Sequence, residues 1–235
     1  MSQTWSTNKK NDMRIGLLGH GYWGKILLSK LNKIPDVQVS WVCTSKESWR
    51  DKSLSIDWVL IATPNNLHYE QAEYFIQKGI NVFCEKPLTT SYDESLKLFQ
   101  LSEKHGVKLY VDDVFNYRKE QQKIINLRGS IKVVWNKVSD NTLFDLMYHD
   151  LYLLYPLIKN NIISLDDINF IYGQSNDKTH TINDIDFTHT DKTNDALLDM
   201  LDHLFNNKVD HEYNKQISLF ANLILDKKKG YDCAQ

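Results

Sequence analysis

Short, almost entirely apolar runs alternate with helix-period segments along the first half of the chain. The helical segments, residues 66–78 and 91–106, end at Gly79 and Gly106, which are good helix stops. Runs that are apolar at nearly every position are typical of parallel strands buried on both faces. We therefore expect an α/β fold, a Rossmann-type doubly wound parallel sheet, over residues 13–114. Its predicted strands are MRIGLLG from residue 13, VQVSWVC at 37–43, DWVLIAT at 57–63, INVFC at 80–84 and VKLYVDD at 107–113.

The pattern changes after residue 114. Residues 115–235 are expected to form a second, smaller and truncated α+β domain, and residues 1–12 a flexible tail. The predicted elements of the second domain are a short helix at QQKIINL, a strand IKVVWNKV at 131–138, a helix at 143–159, weak strands around INFIYG and INDIDFTHT, and helices at 193–206 and 209–227.

Composition narrows the class of protein. The chain has 235 residues, 42% of them hydrophobic and 25% charged, as in folded globular proteins, and its net charge is −2. That charge argues against a general binder of nucleic acid or of membrane surfaces. No apolar stretch reaches the roughly 20 residues of a membrane span, and the N-terminus lacks a signal-peptide core. Three cysteines without metal-type spacing favour free thiols, no metal site and a cytoplasmic location.

The segment GHGYWG follows the first predicted strand and opens a helix. Gly19, Gly21 and Gly24 have the G-x-G-x-x-G spacing, in the strand–turn–helix context that dinucleotide sites require. In such sites the first glycine permits the tight turn, the second lets the backbone approach a pyrophosphate, and the third allows close helix packing. The alternative, a turn with incidental glycines, does not explain the spacing. The sequence therefore predicts a dinucleotide site.

The end of the second strand predicts which dinucleotide is bound. NAD sites usually carry an acidic residue there, but this chain has Thr44, Ser45 and Lys46 at that point. Hydroxyls and a lysine can hold a 2′-phosphate that a carboxylate would repel, and Arg50 lies close enough in sequence to help. We predict a preference for NADP over NAD. The alternative is that Ser45 and Lys46 belong to a solvated turn.

Three stretches, GLLGHGYWGK, IDWVLIATPNNLHYEQA and GINVFCEKPLTTSYDES, resemble in order and spacing the Gfo/Idh/MocA oxidoreductases. These are named for glucose–fructose oxidoreductase, inositol dehydrogenase and a rhizopine catabolism protein. The resemblance runs almost continuously through residues 13–115 and implies an NAD(P)-dependent enzyme with a separate substrate domain. The GYWGK form is most similar to the branch that acts on nucleotide-linked or amino sugars in surface-polysaccharide pathways.

The resemblance also implies site residues. The lysine of EKP, Lys86, would reach from the strand end to the reacting oxygen and stabilise the negative charge that develops there, next to a proline peptide that is commonly cis. Glu85 would hold this lysine or touch the cofactor ribose. His68 is included in the cofactor set but expected to be a packed histidine without a role in the chemistry. The other cofactor-binding candidates beside Lys86, Glu85 and His68 are Gly19, Gly21, Tyr22, Trp23, Gly24, Thr44, Ser45, Lys46, Thr63, Pro64 and Asn65.

An acid–base pair is expected in LFDLMYHDLYLLYPL. Asp145 and His149 are four residues apart, which puts them on one face of a helix. The family carries a D-x-x-x-H-D pattern that Asp145, His149 and Asp150 match. A histidine suits transfer of the hydroxyl proton, and Asp145 would orient it or bind a neighbouring hydroxyl. The alternative is an ordinary ion pair on a solvated face.

The second domain is short for this family, which leaves substrate contacts and assembly open. We expect hydride transfer at a hydroxyl or keto carbon of a sugar, with a nucleotide sugar favoured. The alternatives are reduction of a non-sugar carbonyl or imine, and a non-catalytic dinucleotide-binding regulatory protein. A homodimer through the C-terminal domain is a further expectation. Four residues have undecided roles near the pocket: Tyr117, Arg118, Trp135 and Lys137.

Overall fold

A computed structural model describes residues 12–138, 143–188 and 195–232 of the chain. Its first sheet contains β1 Met13–Leu18, β2 Val37–Cys43, β3 Trp58–Ile61, β4 Asn81–Cys84 and β5 Leu109–Val111. All neighbouring strands are parallel, and their order is β2-β1-β3-β4-β5. The strand order reverses direction between β1 and β3, and open α/β sheets bind ligands beyond the strand ends at such a point.

Helices cover both faces of this sheet, as the apolar runs predict. They are α1 Tyr22–Leu31, α2 Asn65–Gln77 and α3 Tyr92–His105. Along β3, Trp58 and Leu60 pack in the cluster that contains Leu27 of α1, whereas Val59 and Ile61 pack in the cluster that contains α2 and α3. The predicted doubly wound α/β fold is confirmed.

A second, mixed sheet follows. Its elements are α4 Gln121–Ile124, β6 Ile131–Asn136, a π-helical turn Leu143–Met147 that leads into α5 Tyr148–Lys159, β7 Ile168–Gly173, β8 Thr179–Ile182 and β9 Ile185–Asp186. The strand order is β7-β6-β8-β9, with β6 and β7 parallel and the other pairs antiparallel. The inner face of β6 and β8 packs on α5 through Val133, Ile182, Leu153 and Leu157. The weak strand predictions are confirmed as far as residue 188.

The last two helices return to the first sheet. These are α6 Ala196–Phe205 and α7 His211–Asp232. Apolar residues of α6, such as Met200 and Leu204, join the core cluster that contains β1. From α7, the Asn214 side chain accepts a hydrogen bond from Val111 N and donates one to Val111 O, which covers the open edge of β5. Helices α6 and α7 therefore contact the first sheet, and the division into residues 13–114 and 115–235 stays a prediction.

Cys43 and Cys84 are buried free thiols, as predicted, whereas Cys233 lies outside the described residues. The tail prediction also falls outside them, except for residue 12. Among the helices in the described ranges, none combines the length and the apolar character needed to cross a membrane.

Candidate functional site

A cleft of about 680 Å³ lies at the carboxyl ends of β1, β2 and β3. Eight of the predicted cofactor residues line it: Gly19, Gly21, Tyr22, Trp23, Thr44, Ser45, Thr63 and Pro64. The sequence did not identify the other lining residues, which are Leu18, His20, Cys43, Glu47, Trp49, Ala62, Leu67 and Gln71. Of the remaining candidates, Gly24, Lys46, Asn65, His68, Glu85 and Lys86 lie outside this lining set.

The three glycines have different surroundings. A Cβ on Gly19, whose φ is +94°, would lie 2.3 Å from the carbonyl oxygen of Ala62. A Cβ on Gly24 would lie 2.0 Å from the carbonyl oxygen of Gly19, so α1 packs directly on the turn. Gly21 has no atom within 4 Å of that position, which leaves open space beside its backbone. These are the three roles expected of a pyrophosphate-binding turn.

The N-terminus of α1 can accept an anion. Gly21 is its N-cap, no side chain caps it, and its first turn contains no acidic residue. The first N–H groups and the positive end of the helix dipole therefore remain available to a phosphate group. Tyr22 and Trp23 are 75% and 49% exposed and pack edge to face beside the cleft, with ring centroids 5.3 Å apart.

An acidic residue, Glu47, lines the cleft near the end of β2, where the sequence analysis had named only Thr44, Ser45 and Lys46. The Oε2 atom of Glu47 accepts hydrogen bonds from Thr44 N at 2.9 Å and Thr44 Oγ1 at 3.1 Å, and Oε1 lies 2.5 Å from Lys52 Nζ. The Lys52 contact, followed by the Thr44 bonds, lowers the pKa of Glu47 to about 2. Lys46 is exposed and outside the lining, and Arg50 pairs with Glu70.

His68 connects the two loops that follow β3 and β4. Its side chain is completely buried, with Nε2 2.8 Å from Thr63 O and Nδ1 2.9 Å from Pro87 O. Burial lowers the pKa of His68, and the two carbonyl contacts oppose that shift. His68 is thus a packed histidine outside the residues that line the cleft, and its place in the cofactor site stays a prediction. Asn65 is the first residue of α2, and its role in the cofactor site stays a prediction.

Lys86 lies where the first sheet meets the second. The Lys86–Pro87 peptide is cis, and Lys86 Nζ donates a hydrogen bond to the carbonyl oxygen of Asp145 at 3.0 Å. Asp145 belongs to the π-helical turn before α5, a conformation that is frequent at functional sites. Burial lowers the pKa of Lys86, and the charge of Asp145 is the largest opposing effect.

The Glu85 carboxyl group is buried under this lysine. Burial, then the charge of Asp112, raises the pKa of Glu85 well above its ordinary value. The Glu85 and Asp112 carboxyl groups are hydrogen-bonded to each other, and Asp112 also accepts from Val114 N at 3.0 Å. Both carboxyl groups act on the charge of Lys86.

His149 is the second residue of α5, and its ring stacks on Phe115 with centroids 4.1 Å apart and planes 11° apart. Burial, then the charge of Lys86, lowers the pKa of His149 well below 6.5. The imidazole is therefore neutral near pH 7 and can accept a proton. Lys86 follows β4 of the first sheet, whereas Asp145 lies in the π-helical turn and His149 at the start of α5, and the hydrogen bond from Lys86 to Asp145 joins the two segments.

Asp150 has a structural environment. It is completely buried, and its oxygens accept from Trp135 Nε1 at 2.9 Å and His180 Nε2 at 2.7 Å. The rings of Trp135 and His180 stack with centroids 3.7 Å apart. This network fastens α5 to β6 and β8 behind His149. Sequence reasoning missed His180 and Phe115, because only the fold brings them to this helix.

Comparisons with known proteins agree with a nucleotide-binding domain in the first part of the chain. Residues 35–113 match the model of the Oxidoreductase family, NAD-binding Rossmann fold (Gfo/Idh/MocA). The chain is similar to the scyllo-inositol 2-dehydrogenase (NADP(+)) of Bacillus subtilis strain 168, with 30% identity over 120 residues, which is 44% of this chain and 34% of that protein. Matches to this and other curated relatives span about a third of their length or less.

Solved structures extend the likeness to almost the whole chain. The UDP-N-acetylglucosamine 3-dehydrogenase of Acidithiobacillus ferrooxidans has a TM-score of 0.73 at 16% identity, covering 92% of this chain and 96% of that one. GenD2 from gentamicin A biosynthesis, in complex with NAD, has a TM-score of 0.72 at 14% identity, covering 96% and 95%. At this identity the likeness shows the shared fold. Residues 35–113 are therefore similar to the NAD-binding domain of the Gfo/Idh/MocA oxidoreductases, and the chain shares the fold of these dehydrogenase structures.

Proposed function

We propose that the protein transfers hydride between a nicotinamide cofactor and a hydroxyl or keto carbon of a sugar, with a nucleotide sugar favoured. The observation that carries this proposal is the meeting of Lys86, from the nucleotide-binding sheet, with Asp145 and His149 at the second sheet. Catalysis of this kind requires the reacting groups to be held close together, which a junction between two sheets provides.

The residues of the cleft fit a dinucleotide. Open space beside Gly21 and the uncapped start of α1 would hold the pyrophosphate, and Thr63 and Pro64 would lie on the side toward Lys86. The nicotinamide supplies the acceptor or donor of hydride when it is bound.

The side chains beyond the cleft would handle the oxygen and its proton. The ammonium group of Lys86 would donate a hydrogen bond to the reacting oxygen and stabilise its negative charge. Neutral His149 would take the hydroxyl proton during oxidation and return it during reduction. Asp145 positions Lys86 through its backbone carbonyl.

The cofactor preference has two opposing influences. Thr44, Ser45 and Lys46 predict NADP, and the relative from Bacillus subtilis is an NADP(+) enzyme by name. Glu47 acts in the opposite direction, since its carboxylate lines the cleft and would repel a 2′-phosphate. The preference for NADP therefore stays a prediction, as does the homodimer.

The direct test combines binding with turnover. NADH and NADPH are titrated separately into the protein, and the cofactor complex is then incubated with sugars, sugar phosphates and nucleotide sugars while reduced nicotinamide is followed by absorbance. We expect cofactor binding and turnover with at least one sugar class. Cofactor binding without turnover of any sugar, but with turnover of simple carbonyls or imines, would favour the non-sugar reductase. Binding with no turnover at all would favour a regulatory protein.

A further inference from the structure

Two lysines face each other where β6 and β8 continue beyond their paired residues. The last registered pair of these antiparallel strands is Asn136 with Thr179. Asn136 Nδ2 donates to Thr179 Oγ1 at 2.8 Å, which holds the two segments together at this pair. The next position on each segment is Lys137 and Lys178, so the antiparallel register brings the two lysines next to each other just beyond the paired residues.

Continued alternation beyond the strand ends assigns both lysines to the inner face of the sheet, where Lys137 is half-buried and Lys178 is exposed. Side chains alternate along a strand, so Lys137 shares the face of Trp135, and Lys178 shares the face of His180. Trp135 and His180 are buried against α5, where both contact Asp150. The lysine pair therefore follows Trp135 and His180 along the side of the sheet that faces the start of α5.

The charges of both lysines act on His149, in agreement with their place beside Trp135 and His180. After burial, the charges that lower the pKa of His149 include those of Lys86, Lys137 and Lys178. The charge of Lys137 also lowers the pKa of Lys86 and of Lys178. The positive charges of Lys86, Lys137 and Lys178 therefore all disfavour protonation of the same imidazole.

The two lysines have no compensating charge in the protein as described. Among residues 12–138, 143–188 and 195–232, no carboxylate forms an ion pair with Lys137 or Lys178. Like charges directly opposite each other destabilise a sheet. The charge of Arg118 also lowers the pKa of Lys178. Arg118 itself pairs with Glu120 and donates a hydrogen bond to Phe187 O, so its guanidinium group already has partners in the protein.

We propose that Lys137 and Lys178 form an anion-binding subsite, and that the substrate carries a carboxylate or phosphate group beside the carbon that reacts at Lys86 and His149. This inference rests on the proposed oxidoreductase function and narrows its substrate class. An acidic sugar or a phosphorylated sugar would place its anion between the two ammonium groups, whereas a neutral sugar would leave them uncompensated. The anion would also fix which ring carbon faces Lys86.

The test is calorimetric titration of the NADH-loaded protein with D-glucuronate, glucose 1-phosphate, UDP and neutral D-glucose. We expect at least one anion to bind, and glucose to bind more weakly. Lys137→Gln and Lys178→Gln should each lower the affinity for the anion by about tenfold or more, as expected for the loss of a charged hydrogen bond. The matched control is Lys132→Gln, since Lys132 is exposed on the outer face of the same strand and should leave binding unchanged.

Comparison of the three anions shows which negatively charged group of the substrate binds the lysines. Preference for glucuronate assigns a sugar carboxylate, preference for glucose 1-phosphate assigns a sugar phosphate, and binding of UDP alone assigns the diphosphate of a nucleotide sugar. The proposal is overturned if no anion binds wild type, or if the Lys137→Gln, Lys178→Gln double variant binds it equally well. If either result is found while wild type binds NADH, the oxidoreductase proposal still stands. If wild type does not bind NADH, the oxidoreductase proposal itself is contradicted.

Discussion

Lys86 Nζ donates a hydrogen bond to the carbonyl oxygen of Asp145, 3.0 Å away. The two residues come from distant segments of the chain: Lys86 follows β4, and Asp145 lies in the π-helical turn before α5. A lysine tied to a backbone carbonyl keeps its orientation whether or not Asp145 is charged. The contact therefore sets the ammonium group at the junction before substrate arrives, which lowers the cost of ordering it during the reaction.

Replacing this lysine should separate chemistry from cofactor binding. We expect Lys86→Ala to lower kcat by about 100-fold to 1,000-fold, the range for removal of one group that stabilises a developing oxyanion. NADH affinity, measured by fluorescence titration, should stay close to that of wild type. Lys97→Ala, which changes an exposed lysine on α3, is the control for loss of positive charge. Full activity of Lys86→Ala would contradict the proposed mechanism.

The glycine turn offers a matched pair of variants that separates cofactor binding from stability. Gly21→Ala meets no atom in the protein, so its thermal unfolding should match wild type while NADH binding weakens by about tenfold or more. Gly24→Ala forces a Cβ against Gly19 O, so it should lose about 1–3 kcal/mol of unfolding free energy as well. Normal NADH binding by Gly21→Ala would show that the pyrophosphate does not approach this backbone.

The sequence predicted the parts of the site that depend on local pattern. The spacing of Gly19, Gly21 and Gly24 needs only a strand, a turn and a helix, and each of these appears in the residue pattern itself. The position of Lys86 at a strand end also follows from the apolar run before it. Local pattern and tertiary structure agree there, as is usual where the backbone determines the site.

Other parts depend on contacts between distant segments. The apolar stripe of α6 predicts a packed helix, but nothing in it selects the first sheet over the second. Glu47 lies among exposed polar residues, and only the turn after β2 directs its carboxylate to Thr44 and the cleft. His180 becomes part of the site through pairing of β8 with β6 and through Asp150. Such long-range choices are not encoded in short-range periodicity.

Glu47 should determine cofactor selectivity. Removing its charge in Glu47→Gln should raise NADPH affinity relative to NADH affinity by about threefold to tenfold, because a 2′-phosphate would no longer meet a carboxylate. Glu70→Gln is the matched control, since Glu70 is an exposed carboxylate that pairs with Arg50 outside the cleft lining. The two affinities come from separate fluorescence titrations. If the ratio of NADPH affinity to NADH affinity is unchanged in Glu47→Gln, Glu47 does not determine selectivity, and Thr44, Ser45 and Lys46 remain the candidates.

Asp150 should be needed for stability more than for proton transfer. Asp150→Ala removes the acceptor of Trp135 and His180 in a fully buried site, and should cost about 3–5 kcal/mol of unfolding free energy. Urea unfolding followed by tryptophan emission measures this loss. Asp166→Ala, at an exposed aspartate, should change stability little. A loss below about 1 kcal/mol for Asp150→Ala would mean that this network does not hold α5 in place.

The pH dependence should follow the environment of His149. Its pKa in the folded protein lies below the ordinary histidine value of 6.5, chiefly through burial and then through Lys86. The ring is therefore unprotonated above pH 6.5, and sugar oxidation should stay constant there and decline only as pH falls below that value. A decline centred at or above pH 6.5 would contradict this assignment.

Removing the charge of Lys137 tests whether that charge lowers the pKa of His149. Lys137 lowers the pKa of His149, so Lys137→Gln should move the His149 titration to higher pH, whereas Lys132→Gln should leave it in place. The titration is best measured in the free protein, because a bound anion would add its own charge. The ring ¹H–¹³C NMR signal, assigned by its absence in His149→Asn, reports the pKa directly. A shift to lower pH in Lys137→Gln would mean that Lys137 acts on His149 through packing rather than through charge.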